Sequence, residues 1–191
     1  TPIVRVPGFE HFHATRALDG GAQGIVFPHV DDVETAARLV AQCRYAPDGH
    51  RSIAGAQPQL NFATHPPADT ARVINDTTFL IMMLETPAAI ANADAIAAVP
   101  GVDGLLIGTS DLSMELGIPG QFNHPDIISA YEVMITACRK HNKHPGMGGV
   151  YDPPLMQKYI KMGVRLVLAG SDLALLMSAA RTRVADVRAA R

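Results

Sequence analysis

The sequence repeats one pattern six times: a short, almost wholly apolar run, then a turn, then a segment with helical periodicity. The apolar runs hardly alternate with polar residues, which is typical of strands that helices bury on both faces in a parallel sheet. Repeated βα units of this kind predict an α/β fold. The runs span residues 2–6, 24–30, 79–85, 104–109, 145–150 and 165–170.

Six parallel βα units fit either an open doubly wound sheet or part of a closed barrel. No GxGxxG or GxxxxGK[ST] motif follows any of the runs, so the nucleotide-binding signature of many open sheets is missing. A complete (β/α)8 TIM barrel usually needs about 250 residues. This chain has 191, so roughly two units are absent. We therefore expect an incomplete barrel that forms a single domain over residues 1–191.

Composition excludes several classes of partner. A net charge of -2, no run of basic residues and only 5% aromatic residues argue against nucleic-acid binding. The longest apolar stretch contains Arg165 and Asp172, so no membrane span is expected. Cys43 and Cys138 lie in helical segments instead of a disulfide framework, which favours a reducing, cytoplasmic location.

Two of the predicted strands run almost directly into a carboxylate. Glu85 ends the third run, and Asp111 lies two residues beyond the fourth. Because the carboxyl ends of parallel strands meet at one mouth, we expect these acids to converge there and to hold a divalent cation. For either acid alone, a helix N-cap or a helix-dipole interaction is the simpler interpretation. Their occurrence on successive strands favours a metal site.

The stretch "MMLET…GVDGLLIGTSDLSMELG" resembles the signature of the class II pyruvate-dependent aldolases, the 2,4-dihydroxyhept-2-ene-1,7-dioate aldolase and citrate lyase β family. The segments "TPIVRV", "GAQGIVFPHVDDVETA", "RYAPDGHRSIAG" and "LAGSDLALL" follow the family's order. The resemblance implies a (β/α)8 barrel of which this chain lacks the first two βα units. It also implies a homo-trimer or homo-hexamer, in which the last helix packs on a neighbouring subunit in some relatives.

The resemblance implies a lyase that reversibly joins pyruvate, or a related 2-oxo acid, to an aldehyde. Glu85 and Asp111 match the family's metal ligands, and the Mg²⁺, Mn²⁺ or Co²⁺ ion would stabilise an enolate. Thr109, Ser110 and Asp111 would hold the substrate carboxylate at a helix start. Arg51, matched to the family's "YPP.G.RG" loop, would stabilise the enolate oxygen. From composition alone, a solvated loop arginine is the simpler interpretation of Arg51.

The chain departs from the family pattern at several places. Met83 stands where the family often has Gln, Ser52 stands where it usually has Gly, and nothing matches the "D.EH" motif that carries the catalytic His. His29 and His50 could tune the pocket or touch the aldehyde, but neither is assigned as the base. Two alternatives stay open: an oxaloacetate decarboxylase or citryl-type lyase that uses the same metal enolate, and a non-catalytic fragment or assembly partner.

Overall fold

The computed structural model describes residues 1–190 and contains one parallel sheet of six strands. Each strand pairs with the strand that follows it in the chain, so the spatial order is the sequence order. This result confirms the α/β class predicted from the repeated apolar runs. The strands are β1 (Ile3–Arg5), β2 (Gly24–Phe27), β3 (Phe79–Leu84), β4 (Gly104–Gly108), β5 (His144–Gly148) and β6 (Leu166–Val167).

Helices connect all the strands, and a further helix follows β6. A 3-10 turn at Pro58–Leu60 lies in the long connection between the second and third helices. The helices are α1 (His11–Asp19), α2 (Val33–Cys43), α3 (Pro67–Thr77), α4 (Pro87–Ala91), α5 (Ala93–Ala97), α6 (Thr109–Glu115), α7 (Pro125–Lys140), α8 (Pro153–Met162) and α9 (Asp172–Ala189).

The helices pack against one face of the sheet. Alternate strand residues such as Ile25, Leu80 and Leu105 join buried residues of the helices in one large cluster. The opposite face carries a small cluster, Val26, Ile81 and Leu106, to which only strand residues contribute. This one-sided packing differs from the two-sided helix cover of which the apolar runs alone are typical, and it agrees with the expected incomplete barrel.

The inner face is apolar because it forms the interior of a half-barrel, where side chains of the strands themselves fill the space. A strand buried by helices on one side and by a barrel interior on the other has the same continuous apolar sequence as a strand buried between two helix layers. Sequence periodicity alone does not separate the two cases.

Helix α9 differs from the other long helices because it has no buried residue. Its exposed apolar side chains include Leu173, Leu175, Leu176, Val184 and Val187, each between 48% and 68% exposed. An apolar surface of this kind on a helix usually marks a contact with another surface. None of the helices within residues 1–190 has the length and apolarity that crossing a membrane requires.

Candidate active site

Glu85 lies just past the carboxyl end of β3, on the interior face of the sheet. Side chains alternate along the strand, so Ile81, Met83 and Glu85 share one face, and Ile81 and Met83 belong to the interior cluster. Glu85 is nevertheless only 2% exposed. Across the sheet it faces Gly108, where an added Cβ would lie 2.5 Å from the Glu85 Oε1 atom. The absence of a side chain at Gly108 makes room for the carboxylate.

The charge of Glu85 is disfavoured by its surroundings. Burial is the main reason that the pKa of Glu85 is raised, and the neighbouring Asp111 carboxyl raises it further. Two contacts from His29 act in the opposite direction: the main-chain N–H of His29 donates to Glu85 Oε2 at 2.8 Å, and its Nδ1 lies 3.1 Å from the same oxygen. The structure therefore brings together the two acids that the sequence predicted to converge.

Neither acid caps a helix with its side chain. The N-cap of α4 is Thr86, whose hydroxyl accepts the N–H of Ala89. The N-cap of α6 is Gly108, and Asp111 lies in the first turn of that helix. The simpler N-cap interpretation thus does not account for Glu85 or Asp111, although a favourable interaction of Asp111 with the α6 dipole remains.

The pair of acids suits a cation that takes few protein ligands. Within residues 1–190, no three His, Cys, Asp or Glu side chains gather closely enough to hold a metal ion by themselves. Mg²⁺ and similar ions are commonly bound by one or two carboxylates, with water and substrate oxygens filling the other positions. Glu85 and Asp111 have the chemistry for such a site, since a buried acid beside a second acid is stabilised by a divalent charge.

At the start of α6, the Thr109 side chain is engaged within the protein, whereas the main-chain N–H groups have no side-chain cap. The Thr109 hydroxyl lies 2.7 Å from both the Tyr131 hydroxyl and the Gly148 carbonyl oxygen, so it is fully engaged within the protein. Because the N-cap is Gly108, no side chain caps the first-turn N–H groups of α6. Gly149 packs against Ser110, and its φ of +84° together with that contact requires glycine there. Main-chain N–H groups, not the Thr109 side chain, are thus available for an anion.

Arg51 lies at the other end of the sheet. Its Nη2 donates to Asp19 Oδ1 at 2.7 Å, and its guanidinium carbon lies 4.7 Å from the centre of the Tyr45 ring. Asp19 ends α1 and precedes β2, so this ion pair lies near the amino ends of the strands, whereas Glu85 lies beyond a carboxyl end. Arg51 therefore does not lie beside the acids, where the loop motif led us to expect it. The loop after α2 folds back on α1, and motif position alone did not show the direction of that fold.

Arg5 is a cation at the same end of the sheet as the acids, and none of the sequence motifs indicated it. It is the last residue of β1 and pairs with Val26, which in turn pairs with Ile81. Paired residues of parallel strands present their side chains to the same face, so Arg5 shares the interior face with Glu85. The available signal was a charged residue at the end of the apolar run "PIVRV", the same signal that identified Glu85.

The model of one protein family matches residues 1–179, and its description is HpcH/HpaI aldolase/citrate lyase. The chain belongs to this family. The 4-hydroxy-4-methyl-2-oxoglutarate aldolase of Hapsidospora irregularis is 39% identical to this aldolase over 184 residues, which cover 92% of this chain and 67% of the relative. The 5-keto-4-deoxy-D-glucarate aldolase of Enterobacter sp. (strain 638) is 34% identical over 185 residues, which cover 97% and 71% of the two chains.

Solved structures agree with the fold of this aldolase. An HpcH/HpaI aldolase from Desulfitobacterium hafniense superimposes with a TM-score of 0.90 and 31% identity, over 97% of this chain and 71% of the other. The relatives named above are aldolases, so the chain is identified as a lyase of the aldolase type, and the decarboxylase, citryl-lyase and non-catalytic alternatives are not favoured.

Proposed function

We propose that this aldolase reversibly adds pyruvate, or a related 2-oxo acid, to an aldehyde or ketone with the help of a divalent cation held by Glu85 and Asp111. The observation that carries the proposal is the convergence of these two acids at the carboxyl ends of β3 and β4, where burial and the Asp111 carboxyl raise the pKa of Glu85. A buried acid with a like-charged neighbour is characteristic of a functional site. The names of the two relatives above supply the substrate class.

When bound, a cation such as Mg²⁺, Mn²⁺ or Co²⁺ would act as a Lewis acid on the oxygens of the 2-oxo acid. The uncapped N–H groups at the start of α6, from Thr109 to Asp111, would bind the substrate carboxylate. Arg5, in place of Arg51, would offer its guanidinium to the oxygen on which negative charge develops. Met83, beside Glu85 on the interior face, would present an apolar surface to the substrate.

We further propose that the six βα units are part of an eight-unit barrel, which two more units would close between β6 and β1. Three observations support this: the helices cover one face, the first and last strands of the sheet each pair on one side, and the relatives are longer than this chain. The exposed apolar side chains of α9 support a homo-oligomer, a trimer or a hexamer. Cys43 and Cys138 are free, buried thiols, which suits the cytoplasm.

The metal requirement is tested by stripping the protein with EDTA and measuring pyruvate release from 4-hydroxy-4-methyl-2-oxoglutarate and from 5-keto-4-deoxy-D-glucarate. We expect turnover to fall by about 100-fold or more without metal, because a Lewis acid supplies several kcal/mol of charge stabilisation. Readdition of Mg²⁺, Mn²⁺ or Co²⁺ should restore it. A coupled reduction of pyruvate, followed through NADH absorbance, gives the rate.

Turnover that survives EDTA would overturn the metal-dependent mechanism. Oxaloacetate serves as the comparison substrate, since its decarboxylation also yields pyruvate but breaks no aldol bond. A rate on oxaloacetate that exceeds both aldol rates would overturn the aldolase assignment in favour of decarboxylation.

The two arginines give a second test, because their surroundings predict opposite effects. Arg5 is exposed, so Arg5→Met should leave the melting temperature nearly unchanged while lowering kcat by about 100-fold, as expected when one group that stabilises an oxyanion is lost. The Arg51 side chain is fully buried against Tyr45 and paired with Asp19, so Arg51→Met should lower the free energy of unfolding by about 2 kcal/mol. Its kcat, corrected for the folded fraction, should change little. If Arg51→Met lowered kcat and Arg5→Met did not, Arg51 would have to be assigned to the active site in place of Arg5.

A further inference from the structure

The backbone conformation of His29 is unusual for its residue type. Its φ is +52°, in the left-handed region that non-glycine residues adopt at a cost of about 1 kcal/mol or more. The residue lies just after β2, next to the carboxyl end of β3. The following loop is fixed to β3 and α4, because Thr86 donates its hydroxyl to Asp31 Oδ1 at 2.6 Å and the Asn92 amide donates to the Asp31 carbonyl oxygen at 2.7 Å. The surrounding contacts therefore hold His29 in this conformation.

This conformation directs two groups of His29 to a single oxygen atom. The main-chain N–H reaches Glu85 Oε2 at 2.8 Å, and the imidazole Nδ1 lies 3.1 Å from that same atom. The first contact is a hydrogen bond that the backbone donates, and the second is a polar contact at ion-pair distance. The other oxygen, Oε1, lies on the side of Gly108, where an added Cβ would come within 2.5 Å of it. The two oxygens of Glu85 thus have different surroundings.

We propose that His29 is a positioning residue that occupies Glu85 Oε2 and leaves Oε1 as the single oxygen with which Glu85 binds a divalent cation. The inference rests on the proposed function, since it takes Glu85 as a metal ligand. With Oε2 bonded to the His29 main-chain N–H and faced by its imidazole, Glu85 would offer Oε1 to the cation, and contacts within the protein orient its carboxylate. Partners that orient a ligand in this way typically change metal affinity by about 10-fold to 100-fold when they are removed.

His29→Gly is the most informative variant. Glycine adopts positive φ without strain and keeps the main-chain N–H that donates to Oε2, so only the imidazole is lost. Asn142→Gly is the matched control, because Asn142 also has a positive φ, of 55°, but lies in the exposed turn before β5. Both variants replace a non-glycine residue that has a positive φ, but only His29 contacts Glu85. A change seen in His29→Gly alone is therefore due to the imidazole.

The measurement is Mn²⁺ binding to metal-stripped protein by electron paramagnetic resonance, with Mn²⁺ as the only added ligand. We expect His29→Gly to raise the Mn²⁺ dissociation constant about 10-fold and Asn142→Gly to leave it at the wild-type value. Infrared difference spectra of the Mn²⁺ complex report how the Glu85 carboxylate binds the ion. A substitution that only affected the stability of the fold would not change these spectra. The separation between the two carboxylate stretching bands should narrow in His29→Gly, because Oε2, held by the main-chain N–H alone, is less restrained and can approach the cation.

Glu85→Gln separates failure of this inference from failure of the proposed function. If Glu85→Gln binds Mn²⁺ as tightly as the wild-type protein, the proposed metal site itself is wrong. If Glu85→Gln loses binding while His29→Gly keeps both the wild-type affinity and the wild-type band separation, only the role of His29 is overturned.

Discussion

Glu85→Gln is expected to lower turnover by about 100-fold or more and, at the same time, to make the metal-free protein more stable. The carboxylate is only 2% exposed, and burial together with the neighbouring Asp111 carboxyl raises its pKa, so its ionised form is less favourable in the fold than in the unfolded chain. Glutamine has nearly the same shape, carries no charge, and keeps a side-chain oxygen to accept the N–H of His29. The site is thus expected to be built at some expense in stability.

We expect the metal-free variant to gain about 1 kcal/mol in the free energy of unfolding, which for a chain of this size is a rise of roughly 2–4 °C in melting temperature. Excess Mn²⁺ should stabilise the wild-type protein, because the cation binds only the folded state, and should leave Glu85→Gln unchanged. Without metal, Glu85→Gln should therefore have the higher melting temperature, and with excess Mn²⁺ the wild-type protein should. Thermal melts of both proteins under the two conditions test this. Loss of turnover should be about 100-fold or more.

Glu132→Gln is a suitable control, because Glu132 is an exposed acid on α7 and the substitution is chemically the same. It should change neither the melting temperature nor its response to Mn²⁺. A metal-free Glu85→Gln protein that melts below the wild-type protein would show that the Glu85 charge is compensated in the fold, and would count against the cation as the missing partner.

The parallel sheet was predictable because it is specified by local signals. Each strand is a short apolar run bounded by turn residues, and several helices begin after a residue such as Asp32, Asp152 or Ser171 whose side chain accepts a first-turn N–H. The convergence of Glu85 and Asp111 followed from the same logic, since consecutive parallel strands bring their carboxyl ends together. The apolar runs alone did not specify one-sided helix packing, because a barrel interior and a second helix layer bury a strand alike; the chain length and the missing nucleotide-binding motifs favoured the barrel.

The placement of the arginines shows where sequence reasoning failed. Arg51 was assigned by its position in a loop motif, but its location depends on how the connection between α2 and α3 folds back on α1, which no local pattern specifies. Arg5 was overlooked although strand register puts it on the inner face. His29 shows a different limit: its contact with Glu85 depends on a left-handed backbone that its residue type does not predict.

Gly108→Ala is expected to damage the site more than any other single methyl group added to β4. Gly108 has a φ of -82°, so its backbone accepts alanine without strain. The new Cβ, however, would lie 2.5 Å from Oε1 and 2.6 Å from Cγ of Glu85, and 2.7 Å from Cε of Met83. These separations are far below ordinary van der Waals contact, so the Glu85 carboxylate must move.

Because Oε1 is the oxygen proposed to bind the cation, we expect Gly108→Ala to weaken Mn²⁺ binding by about 10-fold or more and to lower kcat by about 100-fold. The free energy of unfolding should fall by about 1–3 kcal/mol from overpacking. Gly55→Ala is the matched control, since no atom lies within 4 Å of its added Cβ and it should behave as the wild-type protein. Electron paramagnetic resonance titrations with Mn²⁺ and steady-state kinetics on both variants provide the comparison. A folded Gly108→Ala protein with wild-type Mn²⁺ affinity would overturn the assignment of Oε1 as the oxygen that binds the cation.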